Sequence, residues 1–442
     1  MSPRPLTVLF LPESAYGPTN NCAGIGDVLR GRGHRVVFAA ESSWRGRLAP
    51  LGFEERLIDL APPVAAEDSA GEGAGEGAGD AGQFWKDFIR ETAPEFRKPT
   101  VEQLASFIRP TFQALVDGAR YCEPHLRSVL AEVRPDVVVE DNVVAFPALL
   151  TAGAPYVRIV SCNPLEVPGP DVAPVFSGLP AADRSAWPAF RAEADRVLRP
   201  LWASFDAWVR EQGAPPLPEL EFVHTSADLN LYVYPEALDY PRTLDTTWHR
   251  LDSSVRRTDD EFALPAALAD RPEGAALIYL SLGSLGSADV ELMKRLIGVL
   301  AATPHRYLVS MGPCHTELDL APNMWGAEFV PQTRIIPLVD LVITHGGNNT
   351  VTEAVHSGKP MIVAPLFWDQ YDNAQRVAET GFGIRLDTYG FADADLSNAI
   401  DQLLGDPELR VRAAAAGARV RAADGLTRAA DLIEALGHRG PR

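Results

Sequence analysis

VDLVITHGGNNTVTEAVHSGKPMIVAPLFWDQ, residues 339–370, changes texture three times, and those changes decide the fold. Residues 339–344 form an apolar run of strand length, as expected of a parallel strand buried on both faces. The run breaks at His345-Gly346-Gly347. Residues 350 to 357 then suit a helix, stopped by Gly358 with Pro360 just beyond. Residues 361–365 are apolar again. Strand, glycine turn, helix and strand make a βαβ unit, so a doubly wound α/β domain is predicted.

Working outward, the same grammar appears twice more. Residues 276–280 read as a strand, 281–287 as a loop and 289–301 as a helix. At the start of the chain, residues 6–11 read as a strand, a loop follows to residue 21, a helix runs from 22 to 31, and residues 35–40 supply the next strand. Further strand signals fall at 137–139, 156–161 and 229–234, with helical patches around 183 to 211. Residues 236–274 are polar and of mixed charge, as a linker would be. Two α/β domains in tandem follow, residues 1–240 and 241–442.

Residues 61–82 stand apart, with five acids, no base and almost no bulky apolar side chain. Such composition cannot repay ordering entropy, and a flexible acidic loop is expected. Phe84, Trp85, Phe88, Phe96, Phe107 and Phe112 follow it, as core helices or as a wall over an apolar substrate.

At 442 residues, with 46% hydrophobic and 22% charged, the chain is an ordinary globular protein of more than one domain. A net charge of −19 excludes nucleic acid as a partner. Cys22, Cys122, Cys162 and Cys314 are scattered, with neither zinc-like nor disulfide-framework spacing. No stretch suits a signal peptide or membrane span, so a cytoplasmic monomer or homodimer is expected.

The chemistry concentrates at the opening stretch. A strand turning through glycines into a helix N-terminus presents free N–H groups and a favourable dipole to an anion. His345, Gly347 and Thr350 lie at that point. Asp369 and Gln370 follow the next strand, where doubly wound folds place their ligands, and they offer hydroxyl-binding groups beside the anion seat. A diphosphate next to bound hydroxyls describes a nucleotide sugar. Blander readings stand beside these. Thr350-Val-Thr-Glu353 is also a capping box, Phe329 could be core, His345 a turn residue, Asp369-Gln370 a solvated loop, and His356 is read as structural.

Residues 329–383, FVPQ…THGGNNTVTEAV…GKP…PLFWDQYDNAQRV…GFG, resemble the signature block of family 1 glycosyltransferases, especially bacterial natural-product enzymes. SLGS at 281–284 and RGH at 32–34 extend the resemblance over most of the chain. It implies the GT-B fold, two Rossmann-like domains facing a cleft, with an acceptor-binding first domain, a donor-binding second one and final helices that return to the first. It implies inverting sugar transfer to a small apolar aglycone, with the nucleotide sugar, a uridine type, as the co-substrate and no cofactor. Carried over, Phe329 stacks on the base and Gln332 lies near the nucleoside. Ser284, His345, Asn349 and Thr350 meet the diphosphate, Glu353 binds the ribose hydroxyls, and Asp369 and Gln370 hold the sugar. A degenerate sugar-nucleotide-binding protein and a GT-B epimerase are the alternatives.

The pattern fails at one place. The family's loop after the first strand usually carries Gly-His-x-x-Pro, whose His is the general base. Measured back from His34, Pro18 occupies that position, and residues 1–33 contain no His. Asp141, which matches the acid that would orient the His, is one candidate base, and Glu13 is another. An acceptor needing little base help is the third explanation. No Asp-x-Asp sits where a metal–diphosphate site needs it, since Asp393-Ala-Asp395 lies in a late polar stretch. Turnover without added metal is expected.

Overall fold

The computed structural model describes residues 4–62 and 91–440. Residues 63–82 of the expected acidic loop, and Phe84, Trp85 and Phe88, lie outside the described residues.

Seven strands form the first sheet: β1 (Thr7–Pro12), β2 (Arg35–Glu41), β3 (Glu54–Ile58), β4 (Val137–Asp141), β5 (Tyr156–Val160), β6 (Leu229–Tyr232) and β7 (Trp248–Arg250). Their order is β3-β2-β1-β4-β5-β6-β7, every pair parallel. Six more form the second sheet: β8 (Leu277–Ser281), β9 (Arg306–Ser310), β10 (Met324–Ala327), β11 (Leu341–Thr344), β12 (Met361–Val363) and β13 (Gly383–Arg385). Their order is β10-β9-β8-β11-β12-β13, again parallel throughout. Both faces of each sheet are covered, which is why β1, β11 and the first three residues of β4 are apolar runs instead of alternating ones.

The principal helices are α1 (Tyr16–Gly31), α2 (Arg109–Val133), α3 (Trp187–Glu211), α4 (Val290–Ala301), α5 (Asn348–His356), α6 (Gln370–Glu379), α7 (Asp393–Leu404), α8 (Pro407–Ala423) and α9 (Gly425–Arg439). Two boundaries differ from expectation. The first helix begins at Tyr16, six residues earlier than the sequence suggests, and carries Pro18 in its first turn. Proline costs nothing there, because first-turn N–H groups have no intrahelical acceptor. The first sheet also extends beyond residue 240, since Trp248–Arg250 pairs with β6 inside what reads as a linker. Three half-buried residues give too short a pattern to register as a strand.

The last helix returns to the first half. Leu426, Ala429, Ala430, Ile433 and Leu436 are buried in one cluster with Leu6, Cys22, Ile25 and Leu29. A fully buried Leu or Ile contributes about 1.5–3 kcal/mol. Gly437 lets α9 lie against Leu6 and Val137, where a Cβ would come within 2.7 and 2.8 Å of their side chains. The surface pairs Arg32–Asp431 and Arg32–Glu434 add little beside that burial. His34 of the RGH segment is a scaffold residue whose Nδ1 accepts the Leu6 N–H at 3.0 Å.

Each sheet reverses its winding once, between β1 and β4 and between β8 and β11. Ligands of such sheets sit beyond the strand carboxyl ends at those points. There the register places Pro12 beside Asp141 in one half and Ser281 beside Thr344 in the other. The two switch points share one cleft.

Candidate active site

A cavity of about 410 Å³ occupies the cleft. Glu13, Pro18 and Asp141 reach it from the first half, and Ser284, Phe329, Asp369 and Gln370 from the second. Its walls are largely apolar. Phe367 packs on Phe96 and Phe107 at ring distances of 4.7 and 5.2 Å, and Trp368 on Phe112 and Phe176 at 5.1 and 4.5 Å. Phe96, Phe107 and Phe112 are thus core on one side, and Phe107 lines the cavity on the other. Trp368 has φ of 58°, a left-handed backbone that a non-glycine residue adopts at a cost of about 1–3 kcal/mol. That kink sends the indole into the cavity wall immediately before Asp369 and Gln370.

Asp141 closes β4 and is buried. Its Oδ2 accepts from Ser161 Oγ at 2.6 Å and from the Cys22 thiol at 3.7 Å. Burial pushes its carboxyl up to about 7, against the pull of the Ser161 hydrogen bond. Glu13 is also raised by burial, but its two oxygens hold the Ala15 N–H at 2.8 Å and the Ser14 hydroxyl at 3.0 Å. Across the cleft, Asp369 accepts the Asn163 N–H at 2.7 Å, and burial lifts it to about 7. Gln370 Oε1 accepts the N–H groups of Leu366 and Phe367 at 3.0 and 3.2 Å, which leaves the amide NH₂ to donate to a ligand.

The remaining predicted donor residues gather around the start of α5. The N-cap, Gly347, has no side chain to satisfy the first-turn N–H groups. His345 lies in a slot between two glycines, because a Cβ on Gly283 or Gly347 would come within 2.7 or 2.6 Å of the imidazole. Burial drops its pKa to about 4, against a hydrogen bond to the Ser281 backbone, so at neutral pH the ring carries no charge. Gln332 Nε2 donates to Thr350 Oγ1 at 3.2 Å and to Glu353 at 2.6 Å, and Arg256 Nη1 reaches the other Glu353 oxygen at 3.3 Å. The helix starts at Asn348, so Thr350 and Glu353 sit inside it and form no capping box. Asn349 turns away from the glycine turn: its NH₂ donates to the Gly17 carbonyl at 3.1 Å and its oxygen accepts from Asn21 at 2.9 Å.

Phe329 is 49% exposed, which rules out a core role. Its ring lies 5.8 Å from Tyr16, and Tyr16 lies 5.3 Å from Trp44, so an aromatic rim spans the mouth of the cleft. Phe329→Ala is expected to weaken nucleotide-sugar binding by about 1–3 kcal/mol, the worth of one base–aromatic stack, and Phe329→Trp to restore it. Titration calorimetry with the sugar nucleotide checks this, and equal affinities for the two variants would remove the stacking role.

Sequence reading missed Arg256, Ser161 and Asn21. Arg256 lies in the polar linker, with nothing nearby to single it out. Asn21 had a signal, since it sits one helical turn beyond Pro18 and shares its face. His356 meets Ser253 Oγ at 3.0 Å, as a structural residue would. Among the described residues no three His, Cys, Asp or Glu side chains gather as a metal site, and no helix is long and apolar enough to cross a membrane.

Two doubly wound sheets sharing a ligand cleft, with a terminal helix strapped back onto the first, make up the GT-B fold. The solved glycosyltransferase of kitacinnamycin shares the fold, with a TM-score of 0.69 at 22% identity over 98% of this chain and 100% of that one. Residues 223–414 match the model for UDP-glucoronosyl and UDP-glucosyl transferase. Demethyllactenocin mycarosyltransferase of Streptomyces fradiae is 25% identical over 97% of this chain and 86% of its own length. Oleandomycin glycosyltransferase of Streptomyces antibioticus is 24% identical, over 98% and 91%. Over nearly its whole length the chain is therefore similar to family 1 glycosyltransferases of natural-product pathways.

Proposed function

We propose that the protein transfers a sugar from a nucleoside-diphosphate donor to a hydroxyl of an apolar natural-product aglycone, with inversion and without a metal. One observation carries the reading: a buried carboxylate, Asp141, faces an apolar cavity whose far side holds Asp369, Gln370 and Ser284. The acceptor proton passes to Asp141, the acceptor oxygen bonds to the anomeric carbon, and the electron pair of the breaking bond leaves on the diphosphate. The uncapped start of α5 stabilises that charge as it develops. Base and leaving-group seat stand on opposite sides of the cleft, which favours a single in-line displacement.

The donor base has two readings. Glu353 inside α5 suits a ribose diol and hence uridine. Solved relatives include one in complex with dTDP and one complexed with thymidine diphosphate, and here Glu353 already holds Gln332 and Arg256. Hydrogen bonds to charged groups are worth about 1.5–3 kcal/mol, so Glu353→Gln should lower kcat/KM for a UDP-sugar by about 10–100-fold and spare the TDP counterpart. Equal losses on both donors would sink the uridine reading.

The overall test is mass spectrometry of products from UDP- and TDP-sugars with macrolide and polyketide aglycones, in the presence of EDTA. Glycosides of opposite anomeric configuration to the donor are expected. Donor epimerised without acceptor, or bound and never turned over, would replace the transferase reading with one of its rivals.

A further inference from the structure

Three hydrogen bonds run in a line across the cleft between the donor helix and Asp141. Asn21 Nδ2 donates to Asn349 Oδ1 on α5 at 2.9 Å, and the same amide nitrogen donates to Ser161 Oγ at 2.7 Å. Ser161 Oγ in turn donates to Asp141 Oδ2 at 2.6 Å. Two further bonds hold the line in place. Ser254 of the interdomain connection donates to Asn21 Oδ1, and Asn348 Nδ2 donates to the Ser161 carbonyl at 2.8 Å. Asn21, Ser161, Ser254 and Asp141 are all buried.

The proton order along this line has one solution. A carboxylate can only accept, so the single Ser161 hydroxyl proton goes to Asp141. Ser161 Oγ is then an acceptor, which obliges Asn21 to present its NH₂ and leaves Asn21 Oδ1 to receive the Ser254 proton. No described residue donates to Asp141 Oδ1, and Asp141 lines the cavity.

We propose that Ser161 and Asn21 are positioning residues for sugar transfer: they hold Asp141 by Oδ2 with Oδ1 left for the acceptor, and tie it through Asn349 to the helix on which the donor diphosphate rests. The proposal rests on the reading of Asp141 as the base. It gives this chain a substitute for the His that Pro18 displaces, built from both halves of the molecule, so that the seating of α5 is felt at the base. Hydrogen-bonded chains of this kind polarise one another in a buried site.

The groups facing Asp141 are Glu13 from the loop after β1, Cys22 on α1, Glu140 on its own strand, and Cys162 and Glu166 after β5. The neighbouring carboxylates oppose its ionisation. The Ser161 bond is the largest influence that favours it. Loss of that bond therefore raises the pH at which the base becomes available.

The test is the pH profile of kcat/KM for the acceptor at saturating donor, using UDP-glucose and oleandomycin, or the fastest pair of the product screen. Ser161→Ala is expected to move the acid limb up by about one to two pH units, and Ser161→Thr, which keeps the hydroxyl, to return it. Asn21→Ala should move the limb in the same direction by less, and it serves alone if Ser161→Ala does not fold. A uniform loss at every pH with the limb unmoved would mean a merely structural role and overturn the proposal. Full activity in Asp141→Asn would instead overturn the base reading beneath it, so the two failures are distinguishable.

Discussion

Asp141→Asn is expected to lower kcat for sugar transfer by about 10²–10⁴-fold, the usual worth of a general base, while leaving nucleotide-sugar affinity within about twofold. Asparagine is the right replacement because its oxygen still accepts from Ser161, so the buried network survives without the basic oxygen. The competing residue is weaker on geometry. Both Glu13 oxygens are held by its own turn, through Ala15 N–H and the Ser14 hydroxyl. Glu13→Gln should therefore cost less than about tenfold. The pH dependence has a definite sign. Asp141 acts only when ionised, and burial holds it near 7, so kcat/KM rises as pH climbs through about 7 and is lost below it. Asp141→Asn should abolish that limb. Stopped assays from pH 5.5 to 9 (roughly the range that brackets the group) read both effects. Activity within tenfold of wild type, with the limb intact, would remove Asp141 from the mechanism.

The parts of the site that could be read in advance are those encoded locally. Residues 339–370 contain their own strand, turn, helix and strand, and the parallel pairing of β11 with β12 follows from that unit. Pro18 shows the limit of such reading. Gly17-Pro18-Thr19 reads as loop, yet the chain is already helical there, because a first-turn proline interrupts no hydrogen bond. Asn349 shows another. Its neighbours in sequence belong to the anion seat, while its side chain belongs to Gly17 and Asn21, more than three hundred positions away. The bonds that fix the two halves together are of that kind: Asn163 to Asp369, Asp372 to the N–H groups of Phe176 and Gly178, and Arg376 to the carbonyls of Leu238 and Asp239. No periodicity signals a polar side chain that satisfies backbone groups on a distant loop. Only the closed cleft reveals it.

The second large effect is expected at His345. Removal of one preorganised donor from a developing oxyanion costs about 10²–10³ in kcat, or about 2.7–4 kcal/mol, and His345→Ala should fall in that range. The cost is high because the slot is built around this ring: Gly283 and Gly347 leave room for an imidazole and for nothing attached to themselves. Alanine would leave that space to water, which must reorganise as charge builds, whereas the ring is already aimed. Charge does not supply the effect. Burial sets the imidazole near 4, and holding it protonated at pH 7 would need a shift of about three units, roughly 4 kcal/mol from the diphosphate alone. The ring therefore meets the incoming donor uncharged. The positive end of the site is the start of α5, where Gly347 leaves the first-turn N–H groups free. It follows that His345→Gln, which keeps an N–H but not its aim, recovers part of the rate, while His345→Ala loses it equally at acid and alkaline pH. A turnover within threefold of wild type in His345→Ala, together with undiminished uptake of the sugar nucleotide, would place the leaving group somewhere other than the glycine turn.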